Sequence, residues 1–402
     1  MQSCCHSVLK LNPTARHFYY FCLMPQTLNT KKVAFSVTNC ICYDQRVHKM
    51  AEVVASLGGE VTIIGRHLGD CCESDQVPFK THRFRMLFRK GFFFYMFINI
   101  RLFFFLIFRK FDILVANDLD TLLPNYLVSK FRHITLVFDS HEYFTGVPEI
   151  QNRPFVKRIW TAIEQHILPH LKFVLTVSDS IAEQYEKQYG LRPVVVRNCA
   201  RNSAEIKPLS RADLGVPDDH LLLIIQGGGI NIDRGGEELI EAVSRMEKVF
   251  LIIAGSGDVI DKLKEKAFDL NSFDRIRFIK KIPWEEMMRY TKSADAGLTL
   301  DKDTNPNYHF SLPNKLFDYI SAGIPVIASD LPEIRKIIID FGCGLVIPSV
   351  TPESIAEAIK KLRDDRVLLN KISQNAVNAS HSLNWDLESK IVSEFYSKIL
   401  HQ

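Results

Sequence analysis

Asn314, Lys315 and Asp318 fall close together in the stretch SLPNKLFDYISAGIPVIASDLPE, Ser311 to Glu333, and their types suit recognition of a phosphorylated sugar. A helix N-terminus collects unpaired amide N–H groups and favours anions, so a lysine in its first turn makes a phosphate site. A carboxylate one turn further along the same face can accept hydrogen bonds from sugar hydroxyls. The elements that must position these groups are legible beside them. Pro313 suits the first helical position, Gly323 a helix stop, and the apolar run Ile324 to Ser329 a strand covered on both faces. A second phosphate element is the run QGGGINIDRGGEELIEAV, where Gly227 to Gly229 let backbone approach a ligand and Arg234 precedes a helix expected near Gly236. A third candidate is Ser140-His141-Glu142, directly after the predicted strand Thr135–Asp139. No G-x-S-x-G occurs, so His141 has no serine-hydrolase partner.

The stretch around Asp318 closely resembles the donor-binding segment of the retaining glycosyltransferases of the GT-B fold, family four. Their pattern is a Glu, seven residues, a second Glu and a small-Gly-x-Pro-Val strand. Asp318 stands at the second acid, which the resemblance implies holds the donor ribose. Phe310 stands at the first and cannot replace it. Arg234 matches the second cation of the family's Gly-Arg…Lys-Gly element, whose first cation falls at Gly229. The resemblance implies contacts to the donor from Asn314 and from the Gly228 and Gly229 backbone. It implies base contact at the turn Ile282-Pro283, where Lys280 and Lys281 replace the usual Gly. Ala254 to Asp258 resembles the family's Gly-x-Gly turn. His141 matches a histidine near the transferred sugar, and Arg46, with Asp44, lies where acceptor-binding and phosphate-proximal residues occur. Catalytic roles are therefore expected of His141, Arg234 and Lys315. The nucleotide diphosphate sugar is the co-substrate, and neither a further cofactor nor a metal is expected.

The rest of the chain fits two domains. Its 402 residues are 47% hydrophobic and 24% charged, the balance of a folded globular protein too long for one ordinary core. A net charge of +4 makes no demand for nucleic acid. Nine cysteines without a C-x-x-C pair read as free thiols of a reducing compartment. From Lys31, strands alternate with helix-length segments, predicting parallel sheets with right-handed crossovers. The expected class is α/β, GT-B: two Rossmann-like domains facing across a cleft. Residues 31–205 would form the acceptor-side domain, 206–384 the nucleotide-sugar domain, and 385–402 a helix crossing back to the first. Residues 1–30 read as an extension, either a mis-set start with Met24 as the true one or a weak membrane anchor.

Gly91 to Phe108, GFFFYMFINIRLFFFLIF, approaches the length of a membrane span, yet Arg101 near its middle would cost about 2.5 to 3.5 kcal/mol. A helix with one face on the sheet and the other on an anionic membrane surface, through 89–110, fits better. The expected activity is transfer of a sugar, with retention, to a lipid-linked or polysaccharide acceptor in surface polysaccharide biosynthesis. The site would be cytoplasmic, with peripheral attachment at the inner membrane face left open. Two other readings stand beside it: a sugar-nucleotide epimerase of the same fold drawing on Asp118, Asp120 and Glu142, and a non-catalytic protein binding sugar nucleotide or membrane.

Overall fold

A computed structural model describes residues 30–67, 77–88 and 90–401. The expectations for the N-terminal extension and for Arg89 fall outside those residues.

Two parallel sheets account for the alternation. The first contains β1 (Lys32–Cys40), β2 (Glu60–His67), β3 (Lys80–Arg85), β4 (Ile113–Asn117), β5 (Thr135–Ser140), β6 (Phe173–Thr176) and β7 (Val194–Val195), in the order β3-β2-β1-β4-β5-β6-β7. The second contains β8 (Leu221–Gly227), β9 (Val249–Gly255), β10 (Ile276–Ile279), β11 (Ala296–Thr299), β12 (Val326–Ser329) and β13 (Gly344–Ile347), in the order β10-β9-β8-β11-β12-β13. Each order reverses direction once, between β1 and β4 and between β8 and β11. Ligands of open parallel sheets bind beyond the carboxyl ends of the strands at such reversals. The chain therefore builds two half-sites, and the loops after β1, β4, β8 and β11 carry them.

Strand β3 was not anticipated. Its sequence, KTHRFR, has one apolar residue, too few to read as a strand by alternation. The aromatic helix Phe92–Ile107 supplies the missing apolar cover: Phe105 stacks on His82 at 4.1 Å and meets Phe84 edge-on at 5.8 Å, while Arg101 lies 4.9 Å over Phe84. The free-thiol expectation also needs correction, because Cys40 and Cys42 are disulfide-bonded, whereas Cys199 and Cys343 are free and buried.

Both faces of the first sheet are covered. One lies under the helices Phe92–Ile107, Leu119–Arg132 and Pro154–Ile167, the other under Gln45–Ser56 and the last helix, Trp385–Leu400. That last helix begins where the Asn384 carboxamide accepts the Leu387 N–H at 3.1 Å, a side-chain cap on an otherwise orphan donor. It buries Trp385, Val392, Phe395, Tyr396 and Ile399 at helical spacing, each contributing about 1.5–3 kcal/mol. The Trp385 N–H donates to the Ala200 carbonyl at 2.9 Å, and buried Glu388 pairs with Arg197 at 2.7 Å. These contacts bring the C-terminus back onto the first sheet, as anticipated.

Candidate functional site

The groups read from the sequence as donor-binding gather at the second sheet's reversal point. β11 delivers Asp301, fully buried, just past its last residue. Both carboxylate oxygens of Asp301 accept from one Arg234 nitrogen at 3.2 Å, and the Lys315 ammonium lies 3.8 Å away. The two cations proposed from the sequence for the diphosphate thus share one buried carboxylate. Arg234 is also laid flat on Tyr308, 4.6 Å from the ring centroid, which fixes the plane of its fork. Burial pushes the Lys315 ammonium below its usual range, with Asp301 opposing and Arg234 reinforcing that shift. Two cations against one carboxylate leave an excess positive charge that an anion can satisfy.

Lys315 and Asn314 sit in the first turn of the helix Asn314–Ala322, which Gly323 ends in the left-handed region at φ 73°. Pro313 is the flanking residue rather than the first helical one, a shift of one position from expectation. Asn314 is exposed and Asp318 faces inward, where it accepts from the Gln226 carboxamide at 3.0 Å and the Trp284 indole at 2.9 Å. Burial pushes its carboxyl up, while those two donors and the nearby Lys49 pull it down. Ile282 is half-buried on the same core, two residues before Trp284, so the proposed base-contacting turn and Asp318 are joined through one indole.

In the loop after β8 Gly228 borders open space, and a Cβ at Gly229 would meet only the Asn231 side chain, at 3.7 Å. The turn Gly255-Ser256-Gly257 has a packing duty: a Cβ at Gly255 would lie 1.8 Å from the Gly227 carbonyl oxygen, and one at Gly257 1.9 Å from that of Ile230. These glycines let the loops after β8 and β9 touch backbone to backbone.

On the first sheet, the unit expected to face the acceptor, the candidate residues form a chain of charges. Arg46, fully buried, grips Asp139 from its Nε at 3.0 and 3.1 Å and a terminal nitrogen at 2.6 Å, and its other nitrogen donates to the Val196 carbonyl at 2.7 Å and the Asn198 side chain at 2.9 Å. Its guanidinium is occupied by the protein, so here it reaches the cleft through Asp139 rather than directly. Asp44 caps the helix Gln45–Ser56 by accepting the Val47 N–H at 3.1 Å. His141 lies between two carboxylates, Nε2 at 3.3 Å from Asp139 and Nδ1 at 3.4 Å from Asp118, and its backbone N–H donates to Asp118 at 2.7 Å. Burial works against a charged imidazole there, but Asp118 and Asp139 outweigh it and push His141 up to about 9. Asp139, although buried, is held below the usual range by Arg46 and His141. Burial pushes Asp118 up to about 8 and Asp120 up to about 7, the latter despite the Thr38 hydroxyl donating to it at 2.5 Å.

The halves meet at Asn307. Its carboxamide oxygen accepts the Tyr143 N–H and its nitrogen donates to Glu142, both at 3.0 Å. Phe310 packs into the first unit's core, edge-on to Tyr143 at 5.7 Å. A cavity of about 1160 Å³ opens beside this junction, bordered by Asp118, Glu142, Gly228, Arg234 and Tyr308. Asp301, Asn307, Tyr308, Gln226 and Trp284 were not named from the sequence. A carboxylate just past a strand's end was the available signal for Asp301; the others carry none beyond their place in the fold.

The profile for glycosyl transferases group 1 matches residues 209–379, and that for Glycosyltransferase Family 4 matches residues 44–200. The chain belongs to this glycosyltransferase family. A chitobiosyldiphosphodolichol beta-mannosyltransferase of Candida albicans is 23% identical over 284 residues, 63% of this chain and 60% of that one. The lipopolysaccharide core biosynthesis glycosyltransferase LpsD of Rhizobium meliloti is 26% identical over 47% of this chain and 52% of its own. The chain thus spans about half to three-fifths of these curated relatives. Among solved structures, Anabaena HepE in complex with UDP and glucose superposes with a TM-score of 0.71 at 14% identity, covering 92% of this chain and all of that one. The family's GT-B fold is the one described above.

The charges on His141 give a pH test. Its folded value lies above the ordinary 6.5, so its contribution to stability is full below 6.5 and lost as pH rises through about 9. Melting temperature should fall between pH 6.5 and 9.5; because the raised carboxyls of Asp118 and Asp120 add to the fall up to about pH 8, His141→Asn should flatten chiefly the part above pH 8, and an unchanged slope there in the variant would remove the imidazolium from this account.

Proposed function

We propose that this protein transfers a sugar from a nucleotide diphosphate sugar to an acceptor hydroxyl, with retention, in the building of a lipid-linked or surface polysaccharide. The observation that carries the reading is the sharing of Asp301 by Arg234 and Lys315 at the first turn of a helix. As the glycosidic bond to the diphosphate breaks, negative charge grows on the leaving oxygens, and fixed cations with helix amides stabilise that charge without reorganising. The donor ribose is assigned to Asp318, with Asn314, Ile282, Gly228 and Gly229 around it. The sugar lies toward His141, whose positive charge faces the cleft. Retention is supported by the family resemblance, and the diphosphate donor by the nucleotide in the HepE complex. The lipid-linked and polysaccharide settings are supported by the names of the Candida and Rhizobium relatives.

The raised carboxyls of Asp118, Asp120 and Glu142 favour a second reading, acid–base epimerisation of the sugar nucleotide. Donor incubated alone separates the two, since only an epimerase returns an isomer.

Arg234→Ala and Lys315→Ala should each weaken nucleoside diphosphate binding by about 1.5–3 kcal/mol, roughly ten- to a hundredfold in Kd by calorimetry. Undiminished affinity in both variants would place the phosphates elsewhere.

A membrane role for the aromatic helix is the second part of the proposal, at the cytoplasmic face. Phe94, Ile98, Leu102 and Leu106 are buried in the sheet's cover, while Phe92, Met96, Ile100, Phe104 and Phe108 form an exposed stripe at the same spacing. Exposed Lys90, Arg109 and Lys110 stand at its ends. Among the described residues no helix is long and apolar enough to cross a membrane. Co-sedimentation with anionic vesicles at low salt should fall about a hundredfold in affinity when these three cations become Gln, about 1 kcal/mol each. Equal binding to neutral vesicles, or none to anionic ones, would contradict the docking.

A further inference from the structure

The cavity, at about 1160 Å³, lies above the ordinary range of ligand pockets, and its wall changes character along its length. Its inner end is polar and charged, with Asp118, Glu142 and Arg234. Away from the junction it runs between the helices Phe92–Ile107 and Pro154–Ile167, bordered by Tyr95, Met96, Ile100, Ile159, Trp160 and Ile163. Ligand pockets span about 300–1,000 Å³, and an apolar extension is unexplained by a hydrophilic donor. Met96 and Ile100 belong to both the groove wall and the exposed stripe, being 40% and 47% exposed. The groove is therefore continuous with the apolar surface that faces outward; its polar side chains away from the cleft are Lys90, Asn99, Glu149 and Arg153, and the Asn99 amide is turned onto the Tyr95 and Asp120 carbonyls.

We propose that this groove holds the aliphatic chain of the acceptor: a lipid whose polar head lies at Asp118 and Glu142 and whose chain leaves between the two helices over Met96 and Ile100. The inference rests on the transferase reading and narrows its acceptor to an amphiphile. Three observations agree on that occupant. A polar-to-apolar gradient matches a head and a tail. A rim shared with the stripe lets a chain slide in from a bilayer without crossing water. Asp118 and Glu142, at the inner end of the cavity, offer carboxyl oxygens to which the hydroxyls of a head group can donate. A peptide would present backbone amides all along its length, and the apolar stretch of wall offers them few partners.

Trp160 reports on the groove directly. It is almost fully buried, borders the cavity, and meets Tyr95 edge-on at 5.4 Å and Phe144 at 5.2 Å. The probes are ω-bromoalkyl glucosides of increasing chain length, below their micellar concentrations, with methyl glucoside as the tail-less control. Bromine quenches a tryptophan it touches, so the full-length protein should lose fluorescence on binding. The quenched part should vanish in Trp160→Phe, a change that keeps an aromatic ring in place. Affinity should rise about threefold to fourfold per added CH2 until the chain reaches the rim, then level off. Nucleoside diphosphate affinity, measured in the same samples, tests the donor site separately. If that affinity is present while quenching is absent or unchanged in Trp160→Phe, the lipid groove is wrong and the transferase reading stands. Methyl glucoside binding as tightly as the long chains would overturn it equally. So would dimerisation that hides the stripe and excludes the probes, which would make this face an interface between two copies.

Discussion

The donor half of the molecule depends on one buried carboxylate. Asp301 has no exposure to water, and a charge in that position is tolerable only when paired. Its partners are the two cations that the donor reading needs, drawn from separate segments: Arg234 from the loop after β8 and Lys315 from the helix between β11 and β12. Asp301 thereby sets their spacing and holds two like charges together that would otherwise repel. The arrangement remains short of one negative charge. In the proposed function a diphosphate, itself multiply charged, would meet that shortfall.

A second buried carboxylate organises the opposite wall. Asp139 anchors Arg46 and through it the carbonyl of Val196 and the side chain of Asn198, so the chain leaving the first sheet is tied to the ion pair beneath His141. The last helix closes the same region: Lys49 donates to the Cys199 carbonyl at 2.8 Å and lies 4.8 Å over the Trp385 ring. Asn307 and Phe310 then join the walls, one by hydrogen bonds and the other by packing. At the position where the family carries its first acid, this chain spends the side chain on docking the two units.

Much of this was legible because buried parallel strands announce themselves as continuous apolar runs. Twelve of the strands were read that way, with ends displaced by a few residues. The helix at Asn314, its stop at Gly323 and the place of Asp318 one turn on from Asn314 followed from local chemistry. β3 was hidden because its apolar cover comes from a helix that follows it in the chain. Asp301 was missed although a carboxylate past a strand's end is a signal, because nothing local sets that aspartate apart from others so placed; only the fold brings it under Arg234 and Lys315. Arg46 was legible as a charge at the cleft but not as a partner of Asp139, 93 residues away. Phe310 could be recognised as a departure from the family pattern, whereas its packing against Tyr143 needed the three-dimensional arrangement.

The central claim is that the second unit binds its ligand chiefly through the diphosphate, by the charge left over at Asp301. Calorimetric titration of matched nucleosides, nucleoside monophosphates and nucleoside diphosphates, across uridine, guanosine and adenosine, tests it most directly. The account predicts that for the preferred base each added phosphate tightens binding, the diphosphate by at least about a hundredfold over the nucleoside, or roughly 2.7 kcal/mol. The gain should shrink as salt rises. A nucleoside that binds as tightly as its diphosphate would contradict it.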